Sequence, residues 1–166
     1  VENTEDLSVI VVDEDTRDFG LEGAFDYYAD HGFEFGGTVH WVRSDQKNVT
    51  GDWKRQDARY ASVSSLTAYT GWSGNDFEVR LQGQRAFDLK DAAGREINGN
   101  TTYDLVVAKD TGLGRFTLGI ENLLDKSYTT VWGQRAIQFY SSYGPEYLFD
   151  FQGRGRTFAL NWSYRY

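Results

Sequence analysis

Residues 156–166 alternate without a break: Phe158, Leu160, Trp162, Tyr164 and Tyr166 fall on one face, and Thr157, Ala159, Asn161, Ser163 and Arg165 on the other. Side chains of an extended strand point alternately to opposite sides, so one side of this stretch is wholly apolar and the other small, polar or charged. The same period of two recurs upstream. Residues 115–121 set Phe116, Leu118 and Ile120 against Arg115, Thr117, Gly119 and Glu121, and residues 101–109 set Tyr103, Leu105 and Val107 against Asp104, Val106 and Ala108. Residues 77–89 oppose Phe77, Val79, Leu81 and Phe87 to Glu78, Arg80, Gln82, Gln84 and Asp88. Residues 64–72 alternate more weakly, through Leu66, Ala68, Thr70 and Trp72. In 33–43, Phe33, Phe35, Val39 and Trp41 oppose Glu34, Thr38 and His40; in 17–28, Phe19, Leu21, Phe25 and Tyr27 oppose Glu22, Ala24 and Asp26. Residues 7–12 read as an earlier strand, which brings the expectation to seven or eight strands.

The connections sort into two kinds. Residues 30–32, 73–76 and 110–114 are short turns, whereas 46–57, 91–100 and 123–153 are long and rich in Gly, Asp and Asn. Short and long alternate strictly, so an antiparallel meander places all short turns at one rim and all long loops at the other. Tyr27, Phe33, Trp72, Phe77 and Phe116 stand beside the short turns. Transmembrane barrels combine these features: short turns at one end, long loops at the other, aromatic girdles, lipid outside and a wet interior. The expected fold is all-β, an antiparallel transmembrane β-barrel. A soluble sandwich shows the same alternation with the apolar face turned inward, but nothing in it segregates loop lengths.

Composition sharpens this picture. The 166 residues include no Cys, no Met and one Pro, but 18 Gly, 11 Tyr, 11 Phe and 5 Trp. Absent Cys removes disulfide frameworks, thiolate chemistry and Cys-ligated zinc. The longest purely apolar runs, 9–12 and 105–108, fall far short of the roughly 18 residues of a spanning helix. A net charge of -8 disfavours nucleic acid as a partner, since phosphate neutralisation needs a basic surface. It leaves room for an anionic small ligand held by a local Arg cluster.

Chemistry-bearing motifs are few. His31 and His40 share no metal-ligand spacing, and no catalytic or metal-binding set is expected. Asp13, Glu14 and Asp15 lack the Gly and later Glu of a calcium loop. Gly112-Leu113-Gly114 and Gly153-Arg154-Gly155 precede no helical pattern and read as turn and strand-start glycines rather than phosphate cradles. The long connection 123–153 is different. It carries Trp132, Arg135, Phe139, Tyr140, Tyr143, Tyr147 and Phe149, and long unstructured loops are often binding segments. Arg135, with Arg154 and Arg156 nearby, supplies donors suited to carboxylates or other oxyanions. The expected ligand-binding residues are Trp132, Arg135, Tyr140 and Tyr143, against the alternative that the aromatics serve packing.

Glu121-Asn122-Leu123-Leu124-Asp125-Lys126-Ser127-Tyr128, followed after a loop by Gly155-Arg156-Thr157-Phe158 and an aromatic end, resembles the C-terminal part of TonB-dependent outer-membrane receptors. Gly20-Leu21-Glu22 resembles that family's Gly-x-Glu strand start, which extends the likeness over nearly all of residues 1–166. Thr129-Thr130-Val131-Trp132-Gly133-Gln134-Arg135-Ala136 and Tyr143-Gly144-Pro145 are more narrowly similar to members that take citrate-hydroxamate siderophores, aerobactin-like ligands. Leu124 stands where the family often has Phe, and Tyr166 where Phe is commoner. The resemblance implies the C-terminal seven or eight strands of a barrel of about 22, the plug domain and earlier strands lying outside this chain. It also implies the bacterial outer membrane, with its lipid as surroundings. The partners implied are a ferric siderophore as ligand and the TonB protein, acting through an N-terminal region absent here. Iron would enter only within that ligand, with no resident cofactor and no enzymatic chemistry. The alternatives are a complete eight-stranded outer-membrane barrel and a soluble, lipocalin-like all-β binding module.

Overall fold

The computed structural model describes residues 14–47 and 50–164; the strand expected at 7–12 and the closing residues 165–166 lie outside them. Seven long strands form one antiparallel meander: β1 (Thr16–Tyr28), β2 (Phe33–Lys47), β4 (Ser65–Ser73), β5 (Phe77–Ala86), β8 (Asn100–Thr111), β9 (Gly114–Glu121) and β10 (Thr157–Ser163). A short β3 (Trp53–Arg55) folds back on the end of β2 as the eighth strand of the sheet. Two-residue strands β6 (Leu89–Lys90) and β7 (Glu96–Ile97) make a separate small hairpin.

The register carries the alternation across every strand. Directly paired residues share a face, and the pairs Leu21↔Trp41, Val39↔Leu66, Thr70↔Leu81, Leu81↔Leu105, Leu105↔Ile120 and Ile120↔Phe158 make one continuous apolar surface. Nothing among the described residues covers it: Leu160 is 74% exposed, Leu21 65% and Phe158 64%. A sandwich or lipocalin-like module would bury this face under a second sheet or within its own closed interior. β1 pairs only with β2, and β10 only with β9, so both edges of the sheet are open among the described residues, unlike a closed small barrel.

The opposite face is polar and cross-linked. Glu22 and His40 meet at 2.8 Å, Thr38 and Thr67 hydroxyls at 2.5 Å, and the Tyr69 hydroxyl donates to Asp26. Arg80 lies 3.6 Å over the Tyr69 ring and 3.7 Å from Glu34. Arg115 bridges Glu78 and, at 2.9 Å, Asp110. Such a ladder costs little beside water and would be costly in hydrocarbon.

Strands of 13 and 15 residues, as in β1 and β2, span about 40–50 Å, more than the apolar band of about 25 Å on a membrane barrel. Their excess height belongs to the long-loop rim. At the short-turn rim the turns fall where the sequence places them. His31 and Gly32 take φ of 65° and 85°, and a Cβ on Gly32 would overlap the Ser73 carbonyl oxygen. Trp72 and Trp162 donate their indole N–H groups to the turn carbonyls of His31 (3.0 Å) and Leu113 (2.8 Å). An aromatic ring with one wet end suits a membrane interface.

Two expectations need correction. The strand read as 77–89 stops at Ala86: one more bond in ladder register, from the Phe87 N–H to the Ser64 carbonyl, follows it, then Asp88 turns to accept the Gly99 N–H at 2.7 Å, and Leu89 starts the small hairpin. The connection 123–153 is not unstructured: it contains a ten-residue helix, α1 (Val131–Tyr140), and a 3-10 turn at Glu146–Leu148. No helix among the described residues is long and apolar enough to cross a membrane.

Candidate ligand-binding loops

The dry part of the protein lies under its long loops. Of the five buried apolar side chains among the described residues, Ala58 and Ala61 lie between β2 and β4, Ile97 between β5 and β8 and Ala136 between β9 and β10, all in long connections, and only Ala108 lies in the large sheet. Three segments meet there: the turn at 57–62, the β6–β7 hairpin, and α1.

The third connection is closed at its base by the Glu121-Asn122-Leu123-Leu124-Asp125-Lys126-Ser127-Tyr128 segment. Asn122 takes φ of 48°, a left-handed conformation that Asn tolerates better than most residues. Its buried amide accepts from the Lys126 N–H (2.9 Å) and donates to the carbonyls of Lys126 (2.9 Å) and Arg154 (3.1 Å), pinning the outgoing strand to the returning one. Asp125 accepts the Arg156 N–H at 2.8 Å, and Gly153 donates to the Tyr128 carbonyl at 2.7 Å. A Cβ on Gly153 would overlap the Tyr128 ring, so Gly is required where the ring packs.

Above this latch, Thr130 caps α1 by accepting the Gly133 N–H at 2.9 Å. Three sides of the helix are occupied. Gly133, where a Cβ would meet the Phe151 backbone at 2.6 Å, and Ala136 are its buried positions. Gln134 exchanges hydrogen bonds with the Asn98 backbone (2.6 and 2.9 Å), and Gln138 donates to the Glu96 carbonyl (2.9 Å). Phe139 stacks edge-on with Tyr60 at 5.4 Å, and Arg59 lies over both rings.

The expected ligand residues sit on this helix and just beyond it. Trp132 is 63% exposed on the first turn and Tyr140 47% on the last. Eight residues of helix separate them by about 12 Å. Tyr140 packs with Phe149 and with the 73%-exposed Tyr143, ring centroids at 5.6 and 6.3 Å. Tyr140 and Tyr143 therefore meet, while Trp132 stands apart at the other end. Arg135, between them, donates Nε to the Ala58 carbonyl (3.3 Å) and Nη2 to the Ala61 carbonyl. No carboxylate among the described residues forms an ion pair with it. Burial draws its guanidinium below the ordinary value.

Two acids that the sequence left unremarked organise the same region. Asp91, with its side chain 1% exposed, accepts from Ala58 N (3.1 Å), Ala93 N (2.8 Å), Arg95 N (2.9 Å) and Arg95 Nε (2.8 Å). Burial raises its carboxyl, but Arg95 and the three backbone N–H groups outweigh that and hold it at about 2. Asp57 pairs with Arg59 (2.6 Å) and Arg95 (2.9 Å), which hold it below the ordinary value although burial opposes them. The acid-to-arginine spacings 57/59 and 91/95 were the available signal. Beneath the loops, on the polar face, hollows of 260 and 240 Å³ share Gln84, Thr102 and Tyr128. Among the described residues no group of three or more His, Cys, Asp or Glu is placed to hold a metal.

No protein-family model matches the chain, and no solved structure does. It is 44% identical over 160 residues to the ferric aerobactin receptors of Escherichia coli and Klebsiella pneumoniae, covering 95% of this chain and 22% of theirs. It is 40% identical over 166 residues to the rhizobactin receptor of Rhizobium meliloti (strain 1021), covering 96% of this chain and 21% of that one. The chain thus spans about a fifth of the length of the curated relatives it matches. With its antiparallel sheet and latched loops, the chain is a homologue of the C-terminal part of the ferric aerobactin and rhizobactin receptors.

Proposed function

We propose that this chain forms barrel wall and external loops of a bacterial outer-membrane receptor that takes up a ferric siderophore of the citrate-hydroxamate, aerobactin-like class. Identity of 40–44% to aerobactin and rhizobactin receptors along nearly its whole length is the observation that carries this reading. The apolar face meets lipid, the polar ladder faces the interior, and the long loops face outward. Uptake draws energy from the TonB protein through a region outside this chain. The ligand brings its own iron, so no resident cofactor and no covalent chemistry are needed.

Within the loops, Trp132, Tyr140 and Tyr143 present the contact surface and Arg135 the anion partner. Their exposure supports the first assignment. The absence of a paired carboxylate, among the described residues, leaves the Arg135 charge available to a ligand anion. Arg135→Ala in the intact receptor should weaken ferric-aerobactin binding by at least tenfold, on the order of one charge-assisted hydrogen bond. Unchanged affinity removes Arg135 from the site. Unchanged affinity in the Trp132→Ala, Tyr140→Ala double variant removes the helix as well.

A further inference from the structure

We propose that Asp91 and Gln134 are positioning residues for the ligand-facing surface of α1, which makes the first two long loops determinants of a site carried by the third. The proposal rests on the reading of α1 as ligand surface. Asp91 itself cannot touch a ligand: its side chain is 1% exposed and both oxygens are engaged by protein donors. One of those donors is the N–H of Ala58, on the adjacent loop. Ala58 in turn offers its carbonyl to Arg135 Nε, and Ala61 of the same turn offers its own to Nη2. A continuous path therefore runs from the β6–β7 hairpin through the 57–62 turn to the middle of the helix. A second path returns directly, since Gln134 exchanges two hydrogen bonds with the Asn98 backbone at the hairpin's end. Ala58, Ala61, Ile97 and Ala136, all 2% exposed or less, fill the space between the paths. With alanine on both the turn and the helix, the two lie close beside Ile97 of the hairpin, and close packing transmits displacement rather than absorbing it. Loss of either anchor frees α1 to shift, and Trp132 and Tyr140 shift with it.

The test uses intact receptor in outer membranes, with ferric aerobactin as the probe and receptor copy number measured in the same samples. Asp91→Asn keeps the shape but, in either orientation of the amide, sets an NH2 donor against two of the four donors that Asp91 serves. Gln134→Ala cuts the helix from the hairpin and leaves Asp91 intact. Each should raise Kd about tenfold per receptor, and each should add much less than that when introduced into the Trp132→Ala, Tyr140→Ala background, where Arg135 is the one proposed contact left on the helix for the anchors to hold. A residue that merely stabilises the fold would lower copy number and leave Kd unmoved. Unchanged Kd in the Gln134→Ala receptor overturns the proposal, as does a fully additive loss in the double-variant background. If the Trp132→Ala, Tyr140→Ala receptor itself binds normally, the reading of α1 as ligand surface fails first and the proposal falls with it.

Discussion

Asn122 is the most instructive single residue to change, because its side chain and its backbone conformation make separable contributions. Its amide forms three hydrogen bonds, with Lys126 N, Lys126 O and Arg154 O, at 2.9, 2.9 and 3.1 Å, and the residue is 4% exposed. At about 1 kcal/mol net per bond, Asn122→Gly should destabilise the closed loop by about 3 kcal/mol. Asn122→Ala loses the same bonds and must also hold φ near 48°, which costs an L-residue with no compensating local bond about 1 kcal/mol more. Lys126 and Arg154 are exposed but the latch holds their backbones, and opening of the 122–156 loop frees those backbones to enter a protease cleft, so native-state trypsin cleavage there reports the opening equilibrium. Relative to the parent receptor, cleavage should accelerate about a hundredfold for Asn122→Gly and roughly fivefold further for Asn122→Ala. Equal rates for the two variants would refute the backbone part of the argument. Rates within threefold of the parent would refute the latch.

Three further outcomes follow from the geometry. Asp91 has a folded pKa of about 2 against an ordinary 3.8. Its stabilisation of about 2 kcal/mol is therefore fully present above pH 5 and lost as pH falls toward 2, so loop protection measured by hydrogen exchange should decline across that interval and be flat above it; Asp91→Asn should shrink the decline to the part that Asp57, also held below its ordinary value, contributes. Gly153→Ala forces a Cβ into the Tyr128 ring and should destabilise the loop by about 1–3 kcal/mol, with Tyr128→Ala relieving most of the loss in the double variant, read by the same protease assay. Leu118→Arg, on the apolar face, should cut the amount of assembled heat-resistant barrel by placing a charge against hydrocarbon at about 2–4 kcal/mol, whereas Thr117→Arg on the polar face should assemble normally.

The sheet was legible because period two survives wherever one face meets an apolar medium and the other a polar one. β9 and β10 carry it without exception, and both turns at His31-Gly32 and Leu113-Gly114 were marked by short Gly-containing breaks. The limits were set by tertiary contacts that leave no periodic trace. α1 escaped notice because three of its sides are claimed by different partners: Gly133 and Ala136 by close packing, Gln134 and Gln138 by the hairpin backbone, Arg135 and Phe139 by the 57–62 turn. Trp132, Ala136, Phe139 and Tyr140 do fall at helical spacing, but over only ten residues, and a buried Gly within the helix lowers its propensity further. Thr130, three residues before Gly133, was the one local sign of a helix start. Trp132, Arg135, Tyr140 and Tyr143 do fall on one folded connection, but the carbonyl contacts of Arg135 and the hub at Asp91 depend on loops distant in sequence, which spacing alone does not reveal.

The central claim is that hydrocarbon lies against one side of this sheet and water against the other. Nitroxide labels at single cysteines introduced one at a time at residues 115–120 of an otherwise Cys-free intact receptor, reconstituted in bilayers, test it directly. The labels at Phe116, Leu118 and Ile120 should collide preferentially with dissolved oxygen, and those at Arg115, Thr117 and Gly119 with a water-soluble nickel chelate. The opposite phase, or a face shielded from both relaxants where lipid is expected, would contradict the account.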